Sequence, residues 1–365
     1  MKKVLKITTV LILLFLSTTF AYGDDNTFEF DPSSSAVMNG RILSNYLEND
    51  EPKTIIIKPG STLPIERVLW INDNTKFIAK DVTIIQTNKA KPIFQNNCDN
   101  GEYNSIKNVE IIGGTYKVAG NVLKPSVFRF AHGNDILIKD ATIETNYQSH
   151  GISFIAVKNS TIDGCKVIAS NNSTKNSKSL EEAVQLDIAT QKTAPSIAEY
   201  GSEYVKGQTC ENITIKNSTI SGSRGLCANK TDSHLNNFHK NIKVINNKIV
   251  GTSAEAAALH NVVGITATNN TITTINKRYK EPYSIGLNIA SFGKASYTSK
   301  YKNTISNNTI KGGRQGLFIF AYKGSSYGET VVTNNKLYSK VSKSNAKSVR
   351  TCKKIVDKNN KCYKG

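Results

Sequence analysis

The sequence predicts an all-β solenoid, a single domain of stacked coils each built from short strands. Two observations carry this. A phrase keeps returning: an apolar-alternating run, a polar pair that is usually Asn-Asn, then Thr-Ile or Lys-Ile and a small residue. It reads NITIKNSTISGS from Asn212, NIKVINNKIVGT from Asn241, GITATNNTITT from Gly264, NTISNNTIKGG from Asn303 and TVVTNNKLYS from Thr330. Fainter copies start at Asn108, Asp135 and Val157. The matched residues Ile143, Ile162, Ile220, Ile249, Ile272, Ile310 and Leu337 are unevenly spaced, which implies one repeated unit with loops inserted between copies. The second observation is the period within the phrase. Apolar residues alternate on both sides of the polar pair, so each unit holds short strands broken by a turn. One such unit cannot bury its apolar face alone, whereas a column of them can.

The elements follow in chain order. Residues 1–23 form a secretory signal: Lys2, Lys3 and Lys6 supply the charged start, Val10–Phe20 the apolar stretch, and Ala21-Tyr22-Gly23 a small-x-small exit. The stretch is too short and wrongly flanked for a stable membrane span, so the mature chain is expected outside the cell, secreted or held at the surface by charge. Asp24–Ser35 looks like a flexible leader. Ala36–Leu47 has helical apolar spacing suited to capping the open end of a stack. Lys53–Thr87 alternates strongly and should supply the first coils. Coils and loops account for residues 36–340 without a linker, and residues 341–365 form a basic tail. The chain is expected to be a monomer.

Lys and Arg number 47 against 28 Asp and Glu, a formal charge of +19. That excess suits acidic partners such as polysaccharide, cell-wall polymer or a membrane surface; a solvated lysine surface would look the same. No nucleic-acid partner is expected. Six cysteines in an exported chain permit disulfides but are too sparse for a cysteine-stapled scaffold. Cys352 and Cys362 are close enough to be bridged, while Cys165, Cys210 and Cys227 fall in or beside strands as core residues. No Cys/His spacing suggests zinc.

The combination of a helical cap, TIIIKPGSTLPI from Thr54 and the repeated N-x-T-I coils resembles the right-handed parallel β-helix superfamily of pectate lyases and polygalacturonases. The resemblance covers roughly residues 36–340. It implies a right-handed parallel β-helix solenoid with an N-terminal capping helix. It says less about activity, because one solenoid hosts several chemistries. The paired asparagines suit the tight bend between strands, where Asn tolerates left-handed backbone and its amides stack as ladders.

A second strand type follows the small residue of each coil: HGISFIAV from His150, EAVQLDIA from Glu182, RGLCANK from Arg224, EAAALHN from Glu255, IGLNIAS from Ile285 and QGLFIFAY from Gln315. Aligned without gaps, Ile152/Phe154, Val184/Leu186, Leu226/Ala228, Ala257/Leu259, Leu287/Ile289 and Leu317/Ile319 share the parity that faces the core. The outward parity then gives one column of Ile155, Asp187, Asn229, His260, Ala290 and Phe320, and a neighbour of Ser153, Gln185, Cys227, Ala258, Asn288 and Phe318. Rows lie about 4.8 Å apart, so Asp187, Asn229 and His260 should form a polar patch beside Gln185 and Asn288. Phe318, Phe320 and Tyr322 should make an aromatic floor able to seat a sugar ring.

A third group, His150, Glu182, Arg224, Glu255 and Gln315, heads the same strands; Glu182–Arg224–Glu255 is best read as a cross-strand salt-bridge ladder. Five residues of strand separate Glu182 from Asp187 by about 16 Å, beyond the roughly 5–9.5 Å that paired glycosidase carboxyls need. Insertions at Thr190–Gln208, Thr231–Lys240, 277–283 and Phe292–Lys302 should wall a cleft. Within them Arg278 and Lys280 suit a charged glycan.

Three functions fit. The first is β-elimination on an acidic polysaccharide, with His260 or Lys230 as base and Arg224, or Arg278 and Lys280, neutralising the uronate carboxyl. Asp187 with Asn229 would orient the imidazole or bind a cation. The resemblance implies a Lys, Arg or His base and allows a carboxylate-bound calcium, though no ligand set is assigned here. The second is hydrolysis with Asp187 as leading acid, although the Asp-Asp and Gly-His-Gly signatures of polygalacturonases are absent. The third is glycan binding without catalysis, as a surface protein.

Overall fold

The recurring phrase folds as the alternation demands. The computed structural model describes residues 27–98, 101–119, 126–146, 149–170, 182–192, 194–276, 278–293, 300–322 and 324–365. The signal segment 1–23 and the first residues of the leader lie outside them. Three long sheets of 12, 11 and 10 strands run the length of the molecule, and every pairing within them is parallel, as in Thr214–Lys216 on Lys243–Ile245. The chain visits the sheets in the same order each time. Thr161–Asp163 lies in the twelve-stranded sheet, Lys166–Ser170 in the eleven-stranded and Glu182–Asp187 in the ten-stranded, before Thr214–Lys216 returns to the first.

Register stacks like on like. Ile215, Val244, Ala267, Ile305 and Val332 are successive partners in the twelve-stranded sheet. Ile220, Ile249, Ile272, Ile310 and Leu337 do the same in the eleven-stranded sheet. All ten are buried, and burying one such side chain contributes about 1.5–3 kcal/mol. One member of the sequence alignment is displaced. Ile162 pairs with Ile215 in the twelve-stranded sheet, and the residue stacked between Ile143 and Ile220 is Val167. The Asn159-Ser160 pair of the fainter phrase precedes the first strand of its coil, and Gly164 takes the left-handed turn between Thr161–Asp163 and Lys166–Ser170, so its isoleucine matched the wrong half of the coil.

The two asparagines of each phrase have separate jobs. The first adopts left-handed backbone, with φ between 54° and 58° at Asn217, Asn246, Asn269, Asn307, Asn334 and Asn359, a conformation Asn tolerates better than most residues. The second turns inward. Asn247, Asn270, Asn308 and Asn335 are buried, and each Oδ1 accepts the backbone N–H of the preceding coil's equivalent residue at 2.9 Å. Their Nδ2 groups donate to Ile215, Val244, Ala267 and Ile305 carbonyls. The ladder therefore satisfies main-chain groups that the turn would leave unpaired inside the core.

The helix spans Ala36–Leu47, with Ser35 as N-cap accepting from the Met38 N–H. Leu43 and Leu47 are fully buried against strands Thr62–Ile65 and Leu69–Trp70, closing one end of the stack. Both ends differ from the sequence expectation. Thr27–Phe30, expected in the leader, is the first strand of the twelve-stranded sheet, and Phe28 stacks on Tyr46 of the helix at 3.5 Å. The basic tail is a further coil: Lys347–Val349, Cys352–Lys358 and Lys361–Lys364 add a last strand to each sheet. Lysines on the outward parity hid its alternation. All six cysteines are free thiols, Cys352 and Cys362 included.

Asn270→Ala should destabilise the fold by about 1–3 kcal/mol, the cost of orphaning buried backbone groups, read from the urea midpoint. Asn241→Gly, in the solvent-facing ladder with Asn212, keeps the left-handed turn and should change stability by less than about 0.5 kcal/mol.

Candidate functional site on the ten-stranded sheet

The outer face of the ten-stranded sheet carries the side chains that sequence parity assigned to it. Ile155 pairs with Asp187 and Ser153 with Gln185, Gln185 with Cys227, and Cys227 with Ala258. His260 pairs with Ala290 and Ala258 with Asn288, then Ala290 with Phe320 and Asn288 with Phe318. Asn229 follows Ala228, the partner of Leu186 and Leu259, which puts it between Asp187 and His260.

The middle of this face is sealed rather than open. Asp187 is 3% exposed, Cys227 0% and Ser153 2%. One cause is the corner where each coil enters the sheet, at Ala183, Gly225 and Ala256. A Cβ at Gly225 would lie 2.8 Å from the Ala256 carbonyl, so the corner takes small residues and the side chains before it fold back over the outer face. Arg224 Nη1 lies 2.8 Å from Glu182 Oε1 and Nη2 2.8 Å from Glu255 Oε2, and all three residues are buried. Arg224 Nη1 also reaches Cys227 Sγ at 3.7 Å, and Asn288 Nδ2 donates to Glu255 Oε1 at 3.2 Å. A second cover is the insertion after Asp187, whose Ala194, Ile197, Tyr204 and Val205 pack with Ile155, Ala156 and Ala131.

Expected roles change accordingly. Arg224 is a strut between two carboxylates, not a free cation for substrate. Asn229 does not hold His260: its Oδ1 accepts from Cys227 Sγ at 3.1 Å and its carbonyl accepts from His239 Nε2. Asp187 does not hold it either, since its Oδ1 accepts the Ile188 N–H at 2.9 Å. Burial pushes the Asp187 carboxyl up to about 7, and Glu182 adds to that push against the pull of His150 and Arg129. Arg129, between core Phe128 and Phe130 in strand Phe128–Ala131, stands one row before Ser153. The F-R-F alternation was the signal for it. Among the described residues, no cluster of three or more His, Cys, Asp or Glu is arranged to hold a metal ion.

Beyond the seal the face opens by degrees: His260, Phe292, Phe318 and Phe320 are half-buried and Tyr322 is exposed. Burial, aided by the positive charges of Arg224 and Lys230, pulls the His260 imidazole down to about 4, so it is neutral at pH 7. Asn288 Nδ2, already oriented by Glu255, faces His260 Nε2 at 3.4 Å. Nε2 is therefore the unprotonated nitrogen and Nδ1 carries the hydrogen. The ring meets Phe292 edge-on at 5.4 Å, and Phe292 stacks on Tyr322 at 4.9 Å. Tyr322 packs on Phe320, and Phe320 on Phe318. The expected aromatic residues adjoin one another, and Phe292 joins them from the loop just past the strand, but Tyr322 meets Phe320 at 73°, so the rings form a run of contacts rather than a flat floor. Lys230 Nζ sits 4.8 Å from the Phe292 ring centre and 2.6 Å from Asp232 Oδ1. Both contacts suit Lys230 as a source of positive charge beside the aromatic run. Gln185 accepts from Ser153 Oγ at 2.8 Å.

The insertions after Asp187 and after Asn229 do wall a cleft, a cavity of about 760 Å³ lined by Lys192, Lys230, Asp232 and His234 among others. Arg278 and Lys280 are not part of it. They are exposed on the loop that enters strand Ile285–Ser291 at its start, the opposite end from His260.

This architecture is shared with solved structures. Two of the Streptococcus pneumoniae surface adhesin PfbA superpose with TM-scores of 0.60 and 0.56, at 17% and 15% identity. They cover 88% and 89% of this chain and 91% and 88% of the adhesin chains. Identity that low speaks to fold alone. No protein-family model matches the sequence, and no curated protein does. The chain is a right-handed parallel β-helix.

Two stability measurements test this site. Arg224→Met strands two buried carboxylates and should cost about 3–5 kcal/mol in urea unfolding. Asp187 binds its proton more tightly when folded, from 3.8 up to about 7. Its contribution is full below pH 4 and lost as pH rises through 7, at no more than about 1.4 kcal/mol per pH unit. The melting temperature of the native protein should therefore fall relative to Asp187→Asn across that window. Parallel curves would show a carboxyl that is not buried.

Proposed function

We propose that this protein is a secreted glycan-active enzyme that binds an acidic polysaccharide over the outer face of the ten-stranded sheet and cleaves it by β-elimination. The observation that carries this reading is the run Phe318, Phe320, Tyr322, Phe292 ending against a neutral imidazole and an ammonium. Aromatic faces take the apolar face of a sugar ring. Elimination then needs a base for the proton beside the uronate carboxyl and positive charge to stabilise the carbanion. His260 Nε2 is the base once substrate displaces the Asn288 amide from its lone pair, and Lys230 is the charge. Electrons pass from the broken C–H bond into the new double bond, the glycosidic oxygen departs with the C–O pair, and that oxygen takes its proton from water. Asn288 positions the imidazole.

Hydrolysis is the weaker reading. The carboxyls of this cluster, Asp187, Glu182 and Glu255, are at most 5% exposed, and the last two are tied to Arg224. Binding without cleavage is favoured by one observation: the same seal leaves Asp187 unable to touch a ligand as leaving-group acid. No described helix is long and apolar enough to cross a membrane, and the signal at residues 1–23 supports export.

Incubation with uronate polymers should yield products with the ultraviolet absorbance of a new double bond. His260→Ala should reduce their rate by about a hundredfold or more while leaving the fold intact by circular dichroism. Because the imidazole stays neutral down to about pH 4, the acidic limb of the rate profile should lie near 4 rather than 6.5. Reducing ends without that absorbance would replace elimination by hydrolysis. Retention of polymer with no product would leave binding alone.

A further inference from the structure

A cavity lies beside the aromatic run, not on it, and the reading above leaves it without a task. It holds about 760 Å³ between the insertion after Asp187 and the one after Asn229. Its polar lining includes Lys192, Lys230, His234, Ser202 and Asp232. Lys192 is exposed and has no ion-pair partner among the described residues. Lys230 belongs to both places. It lines the cavity, yet its Nζ stands 4.8 Å from the Phe292 ring that continues the aromatic run. The two regions are therefore continuous along the solenoid axis, from the row of Phe320 past His260 to the row of Asp187.

The cavity already contains one carboxylate. Asp232 reaches Lys230 at 2.6 Å, although the Asp232 side chain is 80% exposed and that of Lys230 only 27%. An exposed acid adds little to stability by such a contact, but it occupies the place where a ligand carboxylate would meet the ammonium.

We propose that this cavity is the seat of a carboxylated sugar unit next to the one held on the aromatic run. Its carboxylate lies between Lys192 and Lys230, whose ammonium bridges this unit and the reacting one, and Asp232 fills that position when the chain is empty. This assignment rests on the glycan-binding reading above and adds to it the charge requirement and the direction of the polymer. Ligand binding exchanges one carboxylate for another at Lys230, so Asp232 sets a threshold that neutral sugars gain nothing by passing. Lys192, with no ion-pair partner among the described residues, provides the net attraction.

The test is calorimetric titration of the full chain with an oligogalacturonate and with its methyl ester, which keeps shape and removes charge. The acid form should bind more tightly than the ester. Lys192→Gln should weaken the acid form by about three- to fivefold, the scale of one exposed ion pair, and leave the ester unchanged. Asp232→Asn should strengthen the acid form by a similar factor. Equal affinity for acid and ester, or no gain in Asp232→Asn, overturns the assignment. A Phe318→Ala/Phe320→Ala variant separates the two levels. If it weakens both ligands while the charge variants change nothing, the seat is wrong and the glycan-binding reading stands. If it too changes nothing, or the native protein binds neither ligand, that reading fails as well.

Discussion

Parallel stacking of like residues is the constraint on which everything else in this molecule depends. Each coil pairs its main chain with the coils above and below, and the pairing is unbroken in register from Thr214–Lys216 to Cys352–Lys358 in the twelve-stranded sheet. A slip of one residue would turn every isoleucine column to solvent. The inward asparagines oppose such a slip, because each amide fits only the carbonyl and N–H of its neighbours in this register. Apolar burial drives the stack together, and the amide ladder fixes which residue lies over which.

The same stacking builds the site. Residues as far apart in sequence as Glu182 and Glu255 come into contact with one guanidinium because they begin neighbouring coils. That buried triad orients Asn288, and Asn288 determines which nitrogen of His260 carries the proton. Loops are free to vary in length because the coils do not need them for register, so the walls of the cleft after Asp187 and Asn229 are additions to a scaffold that is already complete.

Much of the fold was legible in the chain. The Asn-Asn phrase named the turn, the alternation named the strands, and Ala36–Leu47 was visible as a helix from its apolar spacing. Both outward columns were correct, since parity in a strand depends on nothing beyond counting. The errors fell where local pattern is weak. Thr27–Phe30 alternates but stands alone between the signal segment and the helix, outside any repeat, and the lysine-rich last coil looked like a tail because an edge strand exposes charge on purpose. Arg129 escaped because its strand, Phe128–Ala131, was not included in the aligned rows. Phe292 escaped because it stands just beyond a strand, where parity no longer applies.

Sequence by itself determined the repeat, the two faces of each strand and the identity of the stacked columns, because these follow from periods of a few residues. Tertiary structure alone decided which outward side chains meet solvent. Glu182, Arg224 and Glu255 fold back across the face, and the insertion after Asp187 packs over its end, so Asp187 is buried while His260 and the aromatic run stay partly accessible. No local rule encodes that outcome: it depends on how long side chains from neighbouring coils and a distant loop share one volume, a property of the assembled stack rather than of any segment.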